Sequence, residues 1–211
     1  MLSMCSKLFI YSKWQLLFAV VAAIFSVQVF AAGDSARGAV LADTCKGCHA
    51  VESYNNAYPA YHVPRIAGQS AGYLSAALTL YRDGNRDHPT MLAQAASLSD
   101  QDIQDLAAYL SGVGSQLDAT VAAKGEAPAQ AVACTACHGA AGVSAIPTNP
   151  HLAGQQLDYL QQAALQYKNG DRKGPNAIAM QAQVNAVSEE DLTTILTFFA
   201  AQDGLEIVPM N

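Results

Sequence analysis

Thr44-Cys45-Lys46-Gly47-Cys48-His49 sets two thiols three residues apart, with an imidazole directly behind the second. Ala133-Cys134-Thr135-Ala136-Cys137-His138 repeats the arrangement further along the chain. Of five cysteines in 211 residues, four stand in these two hexapeptides and the fifth, Cys5, lies near the N-terminus. The chemistry that needs this spacing twice decides how the rest of the sequence is read.

The N-terminus fixes the compartment. Lys7 and Lys13 flank a stretch from Leu16 to Ala32 that is almost wholly apolar, and Val29-Phe30-Ala31 ends it in short residues. That is the layout of a secretory signal peptide, expected over residues 1–31. Cleavage there removes Cys5 and Trp14, the only tryptophan. The alternative, an uncleaved anchor, needs ~20 apolar residues, and this run is a little short. Export places the four remaining cysteines where thiols are oxidised, so they belong in disulfides, on a metal, or in covalent attachment to another group. All 17 acidic residues lie beyond the leader, whereas Lys7 and Lys13 are lost from the 11 basic ones. An acidic chain without a basic stripe argues against nucleic acid as a partner.

The chain is a tandem repeat. Cys45, Cys48 and His49 align with Cys134, Cys137 and His138. Pro64-Arg65-Ile66-Ala67-Gly68-Gln69 aligns with Pro150-His151-Leu152-Ala153-Gly154-Gln155, Met91 with Met180, and Ser99-Asp100 with Ser188-Glu189. Differences in spacing fall in stretches containing Gly, Asn or Pro, where loops absorb insertions cheaply. Two homologous domains follow, 32–114 and 115–211, joined near Gly112-Val113-Gly114-Ser115.

Each copy reads as helical. Ser99 with Asp100 and Asp102 is a capped, acidic helix start, followed by Ile103, Leu106, Ala107 and Leu110 on one face. Ser188, Glu189, Glu190 and Asp191 open the counterpart, with Leu192, Ile195, Leu196 and Phe199 as its stripe. Tyr73, Leu74, Ala77 and Tyr81 form a second face, matched by Tyr159, Leu160, Ala163 and Tyr167. Convincing alternating strands are absent, so the expected class is all-α. Domains this small, built from short alanine-rich helices, need a covalent or metal aid to be stable.

Three chemistries compete for the hexapeptides. One zinc shared by Cys45, Cys48, Cys134 and Cys137 would leave each repeat incomplete. A thioredoxin-like pair opens a helix after a strand, and no strand pattern precedes either motif. Cys-x-x-Cys-His is the attachment signature of c-type haem. Two copies that use every exported cysteine point to two covalently attached haem c groups, with zinc and disulfides as the alternatives. His49 and His138 are then axial ligands of the iron. Met91 and Met180 are the candidates for the opposite side, being methionines at matched positions in a chain that has few; Met210 is unmatched. Neither His62, His88 nor His151 has a histidine at its repeat position, although His88, three residues before Met91, competes for the first iron. Pro64 and Pro150 are expected to offer backbone carbonyls to the ligand histidines. His/Met ligation leaves no open coordination position and suits electron transfer.

With CKGCH and CTACH, the PRIAGQ and PHLAGQ turns, Met91, Met180 and LSDQDIQDLAAYL in view, nearly the whole exported chain resembles the dihaem cytochrome c4 family. The resemblance implies two class I cytochrome c domains related by a pseudo-two-fold axis. It implies a periplasmic electron carrier rather than an enzyme, with peripheral inner-membrane association. Its redox partners would be a quinol-oxidising complex and a terminal oxidase or other acceptor. It carries over His49/Met91 and His138/Met180 as ligand pairs and Pro64 and Pro150 as carbonyl donors. Two departures stand out: the tyrosine-rich AVESYNNAYPAYHVP after the first motif, and Ala50 where Gly139 stands in the second copy. The competing functions are an electron-transfer subunit of a dehydrogenase, as in flavocytochrome sulfide dehydrogenases, a dihaem peroxidase-like enzyme, and a haem-free zinc module.

Overall fold

The Asp34 carboxylate accepts the backbone N–H groups of Ala36 and Arg37 and so starts α1, Ser35–Leu41. The computed structural model describes residues 32–58, 60–174 and 176–210; the expected signal peptide and Cys5 lie outside them. α1 rests on α5, Asp100–Gly112, at a distance only glycine allows. A Cβ at Gly38 would sit 2.0 Å from the Asp105 carbonyl oxygen, and one at Gly33 2.1 Å from that of Gln104. Asp105, 1% exposed, holds the crossing: it accepts the Asp34 N–H at 2.7 Å, the Gln101 amide at 2.8 Å and the Arg37 guanidinium. Arg37 also pairs with Asp102. The hydrogen bonds to Asp105, that from Asp34 foremost, hold its carboxyl below the ordinary aspartate range.

α2, Asp43–His49, carries the first hexapeptide. A hairpin follows, β1 Asn55–Ala57 paired antiparallel with β2 Ala60–His62. Strands of three residues are too short for alternation to register in a sequence, which is why this one was not foreseen. α3, Ala71–Arg82, α4, Pro89–Ala95, and α5 complete the first domain. Ser99 and Asp102 form the expected capping box at the start of α5. Leu106, Ala107 and Leu110 of its stripe pack with Leu74 and Tyr109 in one core.

The second domain repeats the plan without a counterpart of α1; a 3-10 turn at Ala129–Ala131 leads into α6, Val132–His138. α7, Leu157–Lys168, α8, Ala177–Asn185, and α9, Glu189–Ala200, follow. Leu160, Ala164, Val184 and Leu196 form one core cluster, and Ala131, Ile195 and Phe199 another. The chain is thus all-α apart from the small hairpin, in two tandem domains. No helix among the described residues is long and apolar enough to cross a membrane.

The boundary between the domains is reciprocal. Gln69 bonds the backbone of His151 while its repeat partner Gln155 bonds that of Arg65. Arg86 forms an antiparallel bridge with Arg172, its own repeat equivalent. Equivalent residues meeting each other's neighbours is the signature of an isologous, two-fold contact.

Candidate haem sites

Each Cys-x-x-Cys-His motif occupies a short helix, α2 or α6, that ends on its histidine. His49 and His138 are both buried, at 9% and 6% exposure. The Pro64 carbonyl accepts the His49 Nδ1–H at 2.8 Å, and the Pro150 carbonyl accepts that of His138 at 2.9 Å. These bonds place the ring proton on Nδ1 and leave Nε2 with a free lone pair, the arrangement a metal-binding imidazole requires. Burial pushes both imidazoles below the ordinary histidine pKa, disfavouring their charged form. The carbonyl turns are fixed to the last helix of their own domain in the same way: Gly68 N–H donates to Leu110 O and Gly154 N–H to Phe199 O. Both glycines have positive φ, 79° and 68°.

Cys134, His138 and Met180 converge on one cavity of about 390 Å³, its open mouth included. Its other walls are almost wholly apolar, among them Leu152, Val184, Ile195, Leu196 and Phe199. Met91 is half-buried as the third residue of α4. The N–H of Met91 is accepted by Nδ1 of His88, which caps that helix. His88 therefore has one ring nitrogen committed to the backbone. His62 is bound through Nδ1 and its own N–H to Asp158, and His151 accepts the Ser144 N–H on Nδ1. Each of the three has its Nδ1 engaged within the protein.

The thiols discriminate between the competing chemistries. Cys45, Cys48, Cys134 and Cys137 are free of disulfides. Among the described residues no three His, Cys, Asp or Glu side chains gather as a metal site, so the four thiols do not form a shared zinc centre. Burial raises the Cys45 and Cys134 thiols, the opposite of the shift an activated redox pair needs.

Sequence reading missed the polar centre of the domain boundary. Arg86 and Arg172 are 5% and 7% exposed, and no carboxylate pairs with either among the described residues. Arg86 donates to the hydroxyl of Tyr159 at 2.9 Å and to that of Tyr73 at 3.4 Å, and lies 4.4 Å over the Tyr81 ring. Its Nε has no hydrogen-bond partner. The two cations pull the buried Tyr159 phenol down to about 7 against its desolvation. Burying uncompensated charge is costly, so this centre suits a group that brings its own acid. A haem would bring carboxylates of its own, and its apolar macrocycle matches the walls of the cavity around Met180. The sequence signal was present, since YRDGNR and YKNGDR keep an arginine at the same repeat position.

Ala50 and Gly139 explain why the two copies diverge after their histidines. Gly139 leaves α6 at φ 82°, and a Cβ there would lie 2.1 Å from Val143 O. Ala50 leaves α2 at φ −103°. The first copy therefore exits in a different direction and continues into the hairpin.

The family model for cytochrome c matches residues 35–114 and again 122–202. The chain is 32% identical over 181 residues to cytochrome c4 of Pseudomonas aeruginosa, covering 80% of this chain and 88% of that protein. It is 31% identical over 173 residues to a thiosulfate dehydrogenase electron acceptor of Stutzerimonas stutzeri, covering 74% and 77%. The crystal structure of reduced cytochrome c4 from Pseudomonas stutzeri superposes with a TM-score of 0.63 at 26% identity, covering 83% of this chain and 100% of that one. With two Cys-x-x-Cys-His helices, carbonyl-fixed histidines and matches of this extent, the chain belongs to the cytochrome c family, in its dihaem cytochrome c4 branch, and binds two covalent haem c groups.

Proposed function

We propose that this dihaem electron-transfer cytochrome works in the periplasm as a single-electron carrier between a quinol-oxidising complex and a terminal oxidase or other acceptor. His49 with Met91, and His138 with Met180, are the residues that would hold the two irons. Cys45, Cys48, Cys134 and Cys137 form the thioether links. Domain boundaries at 32–114 and 115–211 follow the repeat. The observation that carries the reading is the duplicated hydrogen bond from each motif histidine to the carbonyl of its turn proline.

Bound haem supplies a one-electron Fe(III)/Fe(II) couple. The chain does the rest. Pro64 and Pro150 hold each imidazole in one tautomer and orientation, so ligand geometry need not reorganise when charge changes. A thioether from Met91 or Met180 would favour the lower oxidation state of a bound iron. The apolar walls around Met180 would face the macrocycle at the second site. The acidic surface steers towards a positively charged partner face. A cleaved leader over residues 1–31 accounts for export, and membrane association is peripheral.

A second reading has its own observation, the similarity to a thiosulfate dehydrogenase electron acceptor. In it the chain takes electrons from a periplasmic dehydrogenase. Stopped-flow mixing separates the two. Reduction by a quinol-oxidising complex at a rate exceeding that with thiosulfate plus its dehydrogenase, and reoxidation by a terminal oxidase, supports the respiratory carrier. Reduction by the dehydrogenase alone replaces it with the second reading.

A further inference from the structure

The last residues of the chain leave the second domain and end in the first. Leu205 N–H donates to Ala153 O at 2.8 Å, in the carbonyl turn of the second site. The next residue, Glu206, exchanges two backbone hydrogen bonds with Ala67, at 3.1 and 3.2 Å, in the equivalent turn of the first site. The Glu206 carboxylate also accepts the Ser115 N–H at 3.2 Å. Two residues on, Val208 N–H donates to the backbone carbonyl of His49 itself at 2.9 Å. Val208 is fully buried and belongs to the core of the first domain.

Terminal residues are normally loosely held unless something ties them down. This stretch is tied at Leu205, Glu206 and Val208, to the parts that present the candidate haem ligands. The His49 carbonyl is at the end of α2, where an intrahelical partner is lacking, and Ala67 lies three residues after Pro64. The first site is therefore braced by the tail at both its ligand helix and its carbonyl turn. His138, the repeat counterpart of His49, receives no such bond from the tail.

We propose that the C-terminal tail Leu205–Met210 is a cross-domain positioning strap for the first haem site, with Val208 as its anchor. It rests on the reading of His49 and Met91 as a ligand pair. The strap gives the first site a bond to the carbonyl of its motif histidine that the second site lacks, beyond the glutamine contacts the two turns share. Loss of the strap frees the end of α2, so His49 drifts relative to the fixed Met91 helix and the opposite ligand bond weakens.

The test uses the full chain with both haems attached. Val208→Pro removes the N–H that His49 accepts, whereas Val208→Ile keeps both the donor and the apolar bulk. A chain ending at Glu206, which keeps the Leu205–Ala153 bond of the second site and loses Val208, provides a second variant if proline disturbs folding. Imidazole is titrated against the oxidised proteins while the far-red sulfur–iron band and the two midpoint potentials are followed. In Val208→Pro and in the shortened chain, one haem of the two should bind imidazole more tightly, by about tenfold to a hundredfold, the range for lost outer ligand partners. Its potential should fall, and Val208→Ile should match the parent. Val208→Pro should open a second haem in a Met180→Ala background and add nothing in Met91→Ala. If both haems change together, if neither changes, or if the altered haem is that of Met180, the strap assignment is overturned. Failure of Met91→Ala alone to open any haem would instead overturn the ligand reading beneath it.

Discussion

Gln69 holds the backbone of His151 from both sides, its amide donating to His151 O at 3.0 Å and its carbonyl accepting His151 N–H at 2.8 Å. Gln155 does the same to Arg65, at 2.8 and 2.9 Å. The two glutamines are 3% and 5% exposed. Each also caps its own turn by accepting the following backbone N–H, of Ser70 or Gln156. One side chain thus fixes its own carbonyl turn and the neighbouring domain's turn together, so docking of the domains and presentation of the ligand histidines share the same bonds.

Gln155→Ala leaves Arg65 N–H and O, and Gln156 N–H, without partners at a buried site. A buried unsatisfied group costs about 1–3 kcal/mol. The expected outcome is a lower unfolding midpoint and faster proteolysis at the junction near Gly112–Ser115 than in the parent. Gln69→Ala should act alike, because the contact is reciprocal.

Gly38→Ala tests the α1–α5 crossing. The added Cβ meets the Asp105 carbonyl, and backbone must shift to admit it. Overpacking of this kind costs about 1–3 kcal/mol. Denaturant unfolding of the holoprotein should show that loss. Gly47→Ala, whose Cβ meets nothing within 4 Å, should be nearly neutral or slightly stabilising.

Hydrogen bonds from Ser99, side chain then backbone, and the Arg37 pairing hold the Asp102 carboxyl down at about 2. Its folded value lies below the unfolded one near 3.8, so the stabilisation is complete above pH ~4 and is lost as pH falls towards 2. Thermal unfolding of the parent should therefore weaken across that window more steeply than that of Asp102→Asn. Ser99→Ala removes the cap itself and should cost about 1 kcal/mol at neutral pH.

Met91→Ala should lower the midpoint potential of one haem and open its iron to cyanide or imidazole, with the Met180 haem largely unchanged. Retention of both sulfur–iron signatures in the variant would remove Met91 from the ligand set.

Much of this was legible in the residues. The repeat, the helix starts at Ser99 and Ser188 and their buried stripes follow from local chemistry and a period that one sequence displays. The histidine–proline contacts were legible too, because both members sit at matched repeat positions. What escaped reading is non-local. Tyr73 and Tyr159 lie on helical faces that read as core, and only the fold shows that both hydroxyls meet Arg86, that of Tyr159 across the boundary. The strand pairing of Asn55–Ala57 with Ala60–His62 is too short to carry a period. The tail at Leu205–Met210 has no motif, and its contact with His49 spans nearly the whole exported chain.

Haem content decides the central claim most directly. The chain should be made in a periplasm with haem-attachment machinery, its mass and haem counted, and its absorption recorded oxidised and reduced. Two covalent haems per chain, sharp low-spin bands on reduction and a far-red sulfur–iron band on oxidation are the predicted result. One haem, a high-spin signal or a missing sulfur band would contradict the account of two closed His/Met sites.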